Sequence, residues 1–428
     1  MKIWSVTALA VALVVVPATA QEIIEIPAAD RTINANFSEV FRVGALDGAL
    51  WETFGDIRGT GFDAEGNLYI FDAQSSRVVV VDAEGNFLRE FGQAGEGPGE
   101  FRMALGFAVM RDGDIVIADM GHRAYQLFSA EGEFQRMVSM GGDDGMIRLS
   151  GLQPDPRGGA IYSGGGGIQV AMSRRGGPGG GPPPPTSRPI ERITLDGETA
   201  SVETVVDAWL PPRGDGRPET LEGGGMRFSI GQMGPRTFEP PLLVGALAGG
   251  GVVYSDSSAY ALKIQPAGGG GVERVLRRSF TPEPVTESVK DAEKERQLEE
   301  IEEGEGPQMR IMTAGPGGGA AQSVSQDAIR EMMVNRLEGL QFYPEVPVLR
   351  GLSTSWDGRI WVQRRGDEPT SDGPIDVLTA EGEYVGTFAT GATEMPSSFG
   401  PNGLAAFLER DELDVPRVVV RRLPERIR

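Results

Sequence analysis

The stretch GNLYIFD at residues 66–72 recurs 47 residues later as GDIVIAD at residues 113–119. The segment that follows recurs at the same offset, as VVVVDAEG at residues 78–85 and YQLFSAEG at residues 125–132. Each copy is an apolar strand, a polar turn and a second strand that ends at a Glu-Gly turn. Short apolar runs bounded by glycine turns are typical of β-hairpins. The chain therefore contains a β-rich repeat with a period of 47 residues.

Weaker copies of this unit follow along the chain. They are PRGGAIY at residues 156–162, GGVVYSD at residues 250–256 and WDGRIWV at residues 356–362. A period of about 40–50 residues with four short strands is what a β-propeller blade requires. An unpaired strand at residues 37–43 and the run RVVVR at residues 417–421 complete one more blade if they pair, which leaves no exposed sheet edge. The sequence thus predicts an all-β, six-bladed propeller with closure between its terminal strands.

Composition excludes several classes of function. The 428 residues include 62 glycines and 30 prolines, which is incompatible with a mainly helical protein. The formal net charge of −21 disfavours nucleic acid as a partner through repulsion from phosphates. There is no cysteine and only one histidine, His122, so disulfides, thiolate metal sites and multi-histidine metal sites are excluded.

The N-terminus predicts export. Lys2, an apolar core at residues 8–16 and the small residues 18–20 form a signal peptide over residues 1–20, with cleavage before Gln21. The apolar run is too short to span a bilayer, which needs about 20 residues, although a non-cleaved anchor stays an alternative. We expect a periplasmic or secreted protein without a membrane span, in which residues 21–428 form a single propeller domain.

Three insertions interrupt the repeat. Residues 164–189 form a Gly/Pro-rich loop, and residues 223–234 a second loop of similar composition. Residues 283–342 are mainly helical, and their second helix has one apolar stripe made of Ile329, Met332, Met333, Leu337 and Leu340. This helical insertion, between blades four and five, either caps one face of the propeller or forms a hairpin that docks a partner.

Two segments carry a resemblance to a known family. YIFDAQSSRV at residues 69–78 resembles the NHL-repeat signature, and GQAGEGPGEF at residues 92–101 resembles the connection between NHL blades. The second repeat departs from the pattern at His122 and Ala124. The whole layout also resembles exported bacterial six-bladed propellers without an assigned activity. The resemblance implies a six-bladed propeller and does not specify a reaction.

A second set of glycines predicts where a ligand binds. Glycines recur seven residues before the first-turn glycine of several blades, where strands crowd at the axis: Gly59, Gly106, Gly151 and Gly351, with Gly245 and Gly403 as counterparts. The preceding residues should surround the channel mouth: Arg58, Leu105, Ser150, Val244, Arg350 and Asn402. The polar members Arg350, Asn402 and Arg58 fall on blades five, six and one. Two guanidiniums and an amide suit an anion or a carbonyl, unless each arginine pairs with a carboxylate such as Asp56.

These features favour an exported, non-catalytic binding module for a protein, peptide or small anionic ligand, with Arg58, Arg350 and Asn402 as ligand-binding residues. We predict no cofactor, and no catalytic residue is identified. The alternative is a metal-dependent, lactonase-like hydrolase, which the resemblance to six-bladed propellers implies. Its metal would need oxygen ligands, and Asn402 is the only suitable one at the predicted mouth. His122, in a turn between strands, is expected to be exposed or bonded to the backbone.

Overall fold

The computed structural model describes residues 21–140, 146–147, 151–164, 170–171, 186–212, 220–223, 226–229, 235–303 and 326–428. The predicted signal peptide lies outside the described residues. So do Ser150, residues 165–169 and 172–185 of the Gly/Pro-rich loop, and residues 224–225 and 230–234 of the second loop.

The protein is an all-β, six-bladed propeller, and each blade contains an antiparallel sheet whose four strands run in order from the axis outward. Blades one to three contain Ile57–Phe62, Leu68–Asp72, Arg77–Val81 and Phe87–Phe91; Ala104–Val109, Ile115–Asp119, Ala124–Phe128 and Phe134–Ser139; and Gln153–Pro154, Ala160–Ser163, Ser187–Thr194 and Ser201–Trp209. Blades four to six contain Leu243–Ala246, Gly251–Ser255, Ala261–Pro266 and Arg274–Arg277; Leu349–Thr354, Arg359–Arg365, Asp372–Thr379 and Tyr384–Phe388; and Ser398–Phe399, Leu404–Arg410, Pro416–Arg422 and Ser38–Val43.

The core lies between the blades. In blade one every residue of Leu68–Asp72 is buried, because this strand has a neighbouring blade on each face. Successive side chains point to opposite faces, so Leu68 and Ile70 pack with blade six while Tyr69 and Phe71 pack with blade two. The described apolar core forms six such clusters, each shared by two consecutive blades around the ring. Burying one such side chain stabilises the fold by about 1.5–3 kcal/mol.

Before it reaches blade six, the N-terminal segment makes contacts with blades four and five that the sequence analysis did not predict. Glu22–Glu25 forms a fifth, parallel strand on blade four, beside Arg274–Arg277. Asp30 then forms ion pairs with Arg278 and Arg364. Ser38–Val43 finally pairs antiparallel with Pro416–Arg422 in blade six. The segment thus runs along the outside of blades four, five and six.

The insertion after blade four contains two helices, α1 (Glu287–Glu303) and α2 (Gln326–Glu338). A two-residue pairing of Glu283–Pro284 with Glu345–Val346 brings the two ends of the insertion together. Within the described part of the apolar stripe on α2, Leu337 is buried and Met333 is half-buried.

The remaining short elements lie between the strands of the blades. They are the pairs Met146–Ile147 with Val170–Ala171 and Thr220–Gly223 with Met226–Ser229, and the 3₁₀ turns Leu50–Glu52 and Pro401–Gly403.

One boundary of the predicted loop at residues 164–189 is wrong. Residues 187–189 already belong to the strand Ser187–Thr194. Arg188 donates through Nε and its terminal nitrogens to the carbonyls of Trp209, Pro240 and Asp256, which fixes this end of the strand. Pro189 is tolerated because only one neighbouring strand pairs with it, so its missing N–H breaks no ladder on the other side.

Candidate functional site at the entrance face

The innermost strands all begin at one face of the ring, which we call the entrance face, and end at the opposite exit face. Three of them carry a β-bulge near their beginning, at Arg58, Leu105 and Arg350. In each case two residues of the inner strand lie opposite one residue of the second strand. A bulge twists the strand and redirects a side chain. The bulge therefore gives these three positions the same local geometry, as the glycine spacing in the sequence indicated.

Blade four lacks this bulge. Its inner strand pairs in continuous register with Gly251–Ser255, and Val244 is buried. Leu105 on blade two is 38% exposed. Gly245 lies opposite Val253, three residues after the turn glycine Gly250, as Gly61 lies opposite Tyr69, three residues after Gly66. The shorter spacing therefore means that Gly245 matches Gly61 rather than Gly59, and blade four contributes no exposed side chain at Val244.

Arg58 and Arg350 both lie at the entrance face, and each has one carboxylate partner. Arg58 Nε lies 2.8 Å from Asp56 Oδ2, and Arg350 Nε lies 2.7 Å from Asp372 Oδ1. The Asp372 side chain is 70% exposed. Exposed pairs of this kind contribute about 0–1 kcal/mol to stability. A ligand that displaces either carboxylate from its guanidinium therefore loses little free energy.

The predicted position of Asn402 is wrong. The inner strand of blade six is Ser398–Phe399, and Asn402 lies in the turn that follows it, at the exit face. Gly403, with φ of +74°, is a turn glycine like Gly66 of blade one rather than an axial one. The Asn402 carbonyl accepts a hydrogen bond from Arg422 Nη1 at 2.9 Å. The structure therefore separates Asn402 from Arg58 and Arg350.

Contacts between blades six and one identify the residue that replaces it. The Thr60 hydroxyl lies 2.7 Å from the hydroxyls of both Ser397 and Ser398. Gly400, at the end of the inner strand, packs on Phe62, at the end of the first inner strand. Counting back from these matched positions places Met395 and Pro396 opposite Arg58, and Glu394 directly precedes them at the entrance face, in the same cleft lining as Asp56. The position that matches Gly59 is Ser397, which is why the glycine spacing missed this segment.

Glu394 is an acid in an unfavourable electrostatic position. Partial burial raises the pKa of Glu394, and the neighbouring charges of Glu409 and Asp372 raise it further, against an opposing effect from Arg421. No described side chain donates a hydrogen bond to its carboxylate. Glu409, by contrast, pairs with both Arg417 and Arg421. Among these carboxylates, Glu394 is the one that lacks a cationic partner in the described structure.

A cleft of about 420 Å³ opens beside Glu394, between blades six and one. It is lined by Asp56, Ile57, Glu394, Leu408, Glu409, Arg410, Pro416 and Arg417. Arg410 pairs with Asp414, and Leu408 is 36% exposed. The entrance face therefore carries an arc of five charged side chains, with one arginine at each end and three carboxylates between them: Arg350, Asp372, Glu394, Asp56 and Arg58. Its middle is acidic, where the sequence analysis expected an amide between two cations.

The recurring aspartates Asp72, Asp119 and Asp256 are buried and hold the chain that enters each blade. Asp119 accepts hydrogen bonds from the backbone N–H groups of Arg102 and Met103 at 2.9 and 3.0 Å. Asp256 accepts one from Trp209 at 2.9 Å. Asp72 and Asp256 also form ion pairs with Arg77 and Lys263. Because all three carboxylates accept hydrogen bonds from backbone N–H groups at the blade connections, their role is structural.

His122 is bonded at both ring nitrogens. Nδ1 lies 2.9 Å from Asp119 Oδ2, and Nε2 lies 3.1 Å from the carbonyl oxygen of Glu96. Because both partners are acceptors, the doubly protonated imidazolium satisfies the two contacts best. Burial by itself lowers the pKa of His122, but the hydrogen bonds to Asp119 and Glu96 raise it above its usual range.

Within the described ranges, no group of three or more histidine, aspartate or glutamate side chains is arranged to hold a metal ion. No helix among the described residues is both long and apolar enough to cross a membrane.

The fold and its bulged inner strands define the class of protein, a six-bladed propeller. Residues 57–140, about a fifth of the chain, match the model of the DUF5128 family, described as a 6-bladed beta-propeller. None of the curated proteins matches this sequence.

Three solved structures are similar to this chain at low identity. A member of the DUF4221 family from Bacteroides vulgatus has a TM-score of 0.48 and 11% identity, over 92% of this chain and 99% of that one. A predicted exported protein from Bacteroides fragilis NCTC 9343 has a TM-score of 0.47 and 11% identity, over 94% and 100%. Regucalcin, a calcium-binding protein from Agrobacterium tumefaciens, has a TM-score of 0.37 and 14% identity, over 94% and 97%.

Proposed function

We propose that this protein is an exported binding module, periplasmic or secreted, that holds a polypeptide segment carrying a basic group at its entrance face. The observation that carries the proposal is Glu394, an exposed carboxylate that lacks a cationic partner among the described residues and lies beside a cleft of about 420 Å³. Ligand clefts typically measure about 300–1,000 Å³. The net charge of −21 attracts a cationic partner from a distance.

The residues of the arc have distinct roles in this proposal. Glu394 accepts charge-assisted hydrogen bonds from an ammonium or guanidinium group of the ligand. Arg58 and Arg350 each engage their aspartate through Nε, which leaves the terminal nitrogens for carbonyl oxygens of a peptide. Leu408 offers apolar contact area in the same cleft. A small anion at the mouth is less well supported, because Glu394 repels it and both guanidiniums already face carboxylates.

A peptide array tests the proposal. Short peptides of random sequence and varied charge are exposed to the purified protein, and we expect the bound set to be enriched in lysine and arginine. For the tightest binder, Glu394→Gln should raise Kd about tenfold through the lost charge-assisted bond. Glu299→Gln removes the same charge from an exposed position on α1 and should leave Kd unchanged. A bound set enriched in acidic peptides, or an equal effect of both variants, contradicts the proposal.

The hydrolase alternative has a different signature. A divalent ion that binds the folded protein would raise its melting temperature progressively as the ion concentration exceeds Kd, and lactone hydrolysis would depend on that ion. No described cluster of carboxylates favours this alternative. A metal-dependent rise in melting temperature together with lactonase activity would replace the binding-module proposal.

Export and family assignment are further parts of the proposal. The signal peptide over residues 1–20 implies a mature chain that begins at Gln21, which intact-mass measurement of the exported protein tests directly. We also propose that residues 21–428 form a single propeller domain with a helical insertion at residues 283–342. The NHL-type character of residues 69–78 is proposed from their sequence pattern.

A further inference from the structure

A second cleft, of about 370 Å³, lies at the exit face beside blade five. It is lined by Arg31, Thr32, Ile33, Arg359, Glu383, Val385 and Arg426. Arg359 begins the second strand of blade five, whereas Arg350 lies near the beginning of the first. These strands are antiparallel, so the new cleft and the entrance-face arc lie at opposite ends of the same hairpin.

The backbone of Arg31 is held on both sides of the residue. Asp30 is paired with Arg278 and Arg364, and the Arg31 carbonyl accepts a hydrogen bond from the Thr387 N–H at 2.8 Å. The Arg31 side chain donates through Nε to the Val385 carbonyl at 3.2 Å and through Nη2 to the carbonyls of Tyr384 and Val385. Nη1 of Arg31 has no described acceptor. The guanidinium is therefore fixed in position while its Nη1 hydrogens stay free to bind a ligand.

Arg359 and Arg426 are also positioned by backbone contacts. Arg359 Nε donates to the Arg426 carbonyl at 3.2 Å, which leaves both terminal nitrogens of Arg359 without a described acceptor. The next residue, Ile427, is buried, and its carbonyl accepts a hydrogen bond from Trp361 Nε1 at 3.2 Å. The C-terminal segment that carries Arg426 is therefore anchored to blade five.

The charge in this cleft is opposite in sign to that of the protein. Three arginines and one glutamate line it, in a chain whose net charge is −21. None of Arg31, Arg359 and Arg426 forms an ion pair within the described residues, and neither does Glu383. Nearby acids are already engaged, since Asp357 and Glu425 both pair with Arg428. Like charges that converge without counterions raise the free energy of the folded state, and an anion bound among them relieves that repulsion.

We infer that this exit-face cleft is a binding site for an oxyanion group: a phosphate, a sulfate or a carboxylate. The planar guanidinium fork matches the oxygens of these groups and forms two parallel hydrogen bonds with them. Arg359 and Arg426 supply most of the free donors, and Arg31 adds Nη1. Glu383 is the one group in the lining that opposes an anion. The site is independent of the proposed function at the entrance face, because the two share no residue.

Calorimetric titration tests the site. The mature protein is titrated with inorganic phosphate, sulfate and acetate, at constant ionic strength set with chloride. We expect saturable binding of at least one oxyanion and a matching rise in melting temperature. Arg426→Gln, at an exposed position, should weaken binding about tenfold, as expected for the loss of a charge-assisted pair. Glu383→Gln should strengthen it, a gain that a damaged fold does not produce. Arg330→Gln on α2 removes the same charge far from the cleft and should change nothing.

The three anions distinguish the ligand class. Preference for phosphate or sulfate over acetate identifies a tetrahedral oxyanion, and the reverse preference identifies a carboxylate. Absence of saturable binding for all three overturns the inference, as does equal weakening by Arg426→Gln and Arg330→Gln. Peptide binding at the entrance face should be unaffected by Arg426→Gln, so failure of one site is distinguishable from failure of the other.

Discussion

Arg278 and Asp376 form an ion pair with no solvent-exposed side-chain surface, in which Nη1 lies 2.8 Å from Oδ2. Arg278 directly follows the fourth strand of blade four, and Asp376 lies in the third strand of blade five. The same guanidinium donates to Asp30 and to the carbonyls of Pro27, Ala28 and Ala29. One buried residue thus joins two blades and the N-terminal segment.

Replacing Arg278 should be strongly destabilising. Arg278→Met leaves Asp376 buried with only Arg364, 3.5 Å away, as a cationic neighbour. Removal of one partner of a buried pair typically costs about 3–5 kcal/mol, measured as the free energy of unfolding in denaturant. Arg274→Met is the matched control, because Arg274 pairs with exposed acids and should cost at most about 1 kcal/mol. Equal losses would mean that the buried pair has no special role.

Asp30 should make the stability depend on pH. Burial alone would raise the pKa of Asp30, but the hydrogen bonds and charges of Arg364 and Arg278 hold it below its ordinary value of 3.8. A depressed folded-state pKa stabilises the protein fully above the unfolded value, and this contribution is lost as the pH falls through the folded value. Unfolding midpoints of the wild type and Asp30→Asn should therefore differ at pH 6 and converge in acid. A constant difference at every pH would contradict this origin.

Gly245 lies in the inner strand of blade four, where a Cβ atom would crowd side chains of blade five. That atom would lie 2.6 Å from Thr354 Cγ2 and 2.7 Å from Leu352 Cδ2 of blade five. Gly245→Ala should therefore cost about 1–3 kcal/mol through overpacking. Gly249→Ala, in the following turn of the same blade, meets open space and should stay within about 0.5 kcal/mol of the wild type. Thermal unfolding of the two variants compares them, and similar melting temperatures would rule out crowding at the axis.

His122 is the sole histidine, so its ring Hε1 resonance in a proton NMR spectrum reports its titration without overlap from other histidines. We expect a midpoint above the ordinary value of 6.5, because Asp119 and the Glu96 carbonyl favour the imidazolium. The raised pKa stabilises the fold below pH 6.5, and the contribution is lost as the pH rises through the folded value. Asp119→Asn should move the midpoint down. A midpoint below 6.5 in the wild type would show that burial outweighs both hydrogen bonds.

Glu394 should be functionally useful and structurally unfavourable. Its raised pKa means that the folded state prefers the neutral acid, so the charged form destabilises the protein as the pH rises through the folded value. Glu394→Gln is therefore expected to raise the melting temperature at pH 7 while it weakens the binding of basic peptides. The gain should disappear at pH 3, where the carboxyl is protonated. A lower melting temperature at pH 7 would mean that the carboxylate has a structural partner.

The candidate site was only partly predictable from the sequence. The glycine spacing led to Arg58 and Arg350, because an extra residue before an axial glycine produces the same bulge in blades one and five. It failed in blade six, where the inner strand is two residues long and the nearest glycine with positive φ is a turn glycine. Glu394 has no local motif. Its pKa is raised by partial burial and by the charges of Glu409 and Asp372, which lie on strands of blades six and five.

The sequence by itself determined the six-bladed all-β architecture. Strand alternation and turn glycines are properties of neighbouring residues, and they recur at a period that a blade requires. Only the tertiary structure decided which charged residues meet. The exit-face cleft combines Arg31, Arg359 and Arg426 from three distant segments, and the buried pair of Arg278 with Asp376 joins two blades. Electrostatic interactions depend on distance in space and on burial, and neither quantity is encoded in local periodicity.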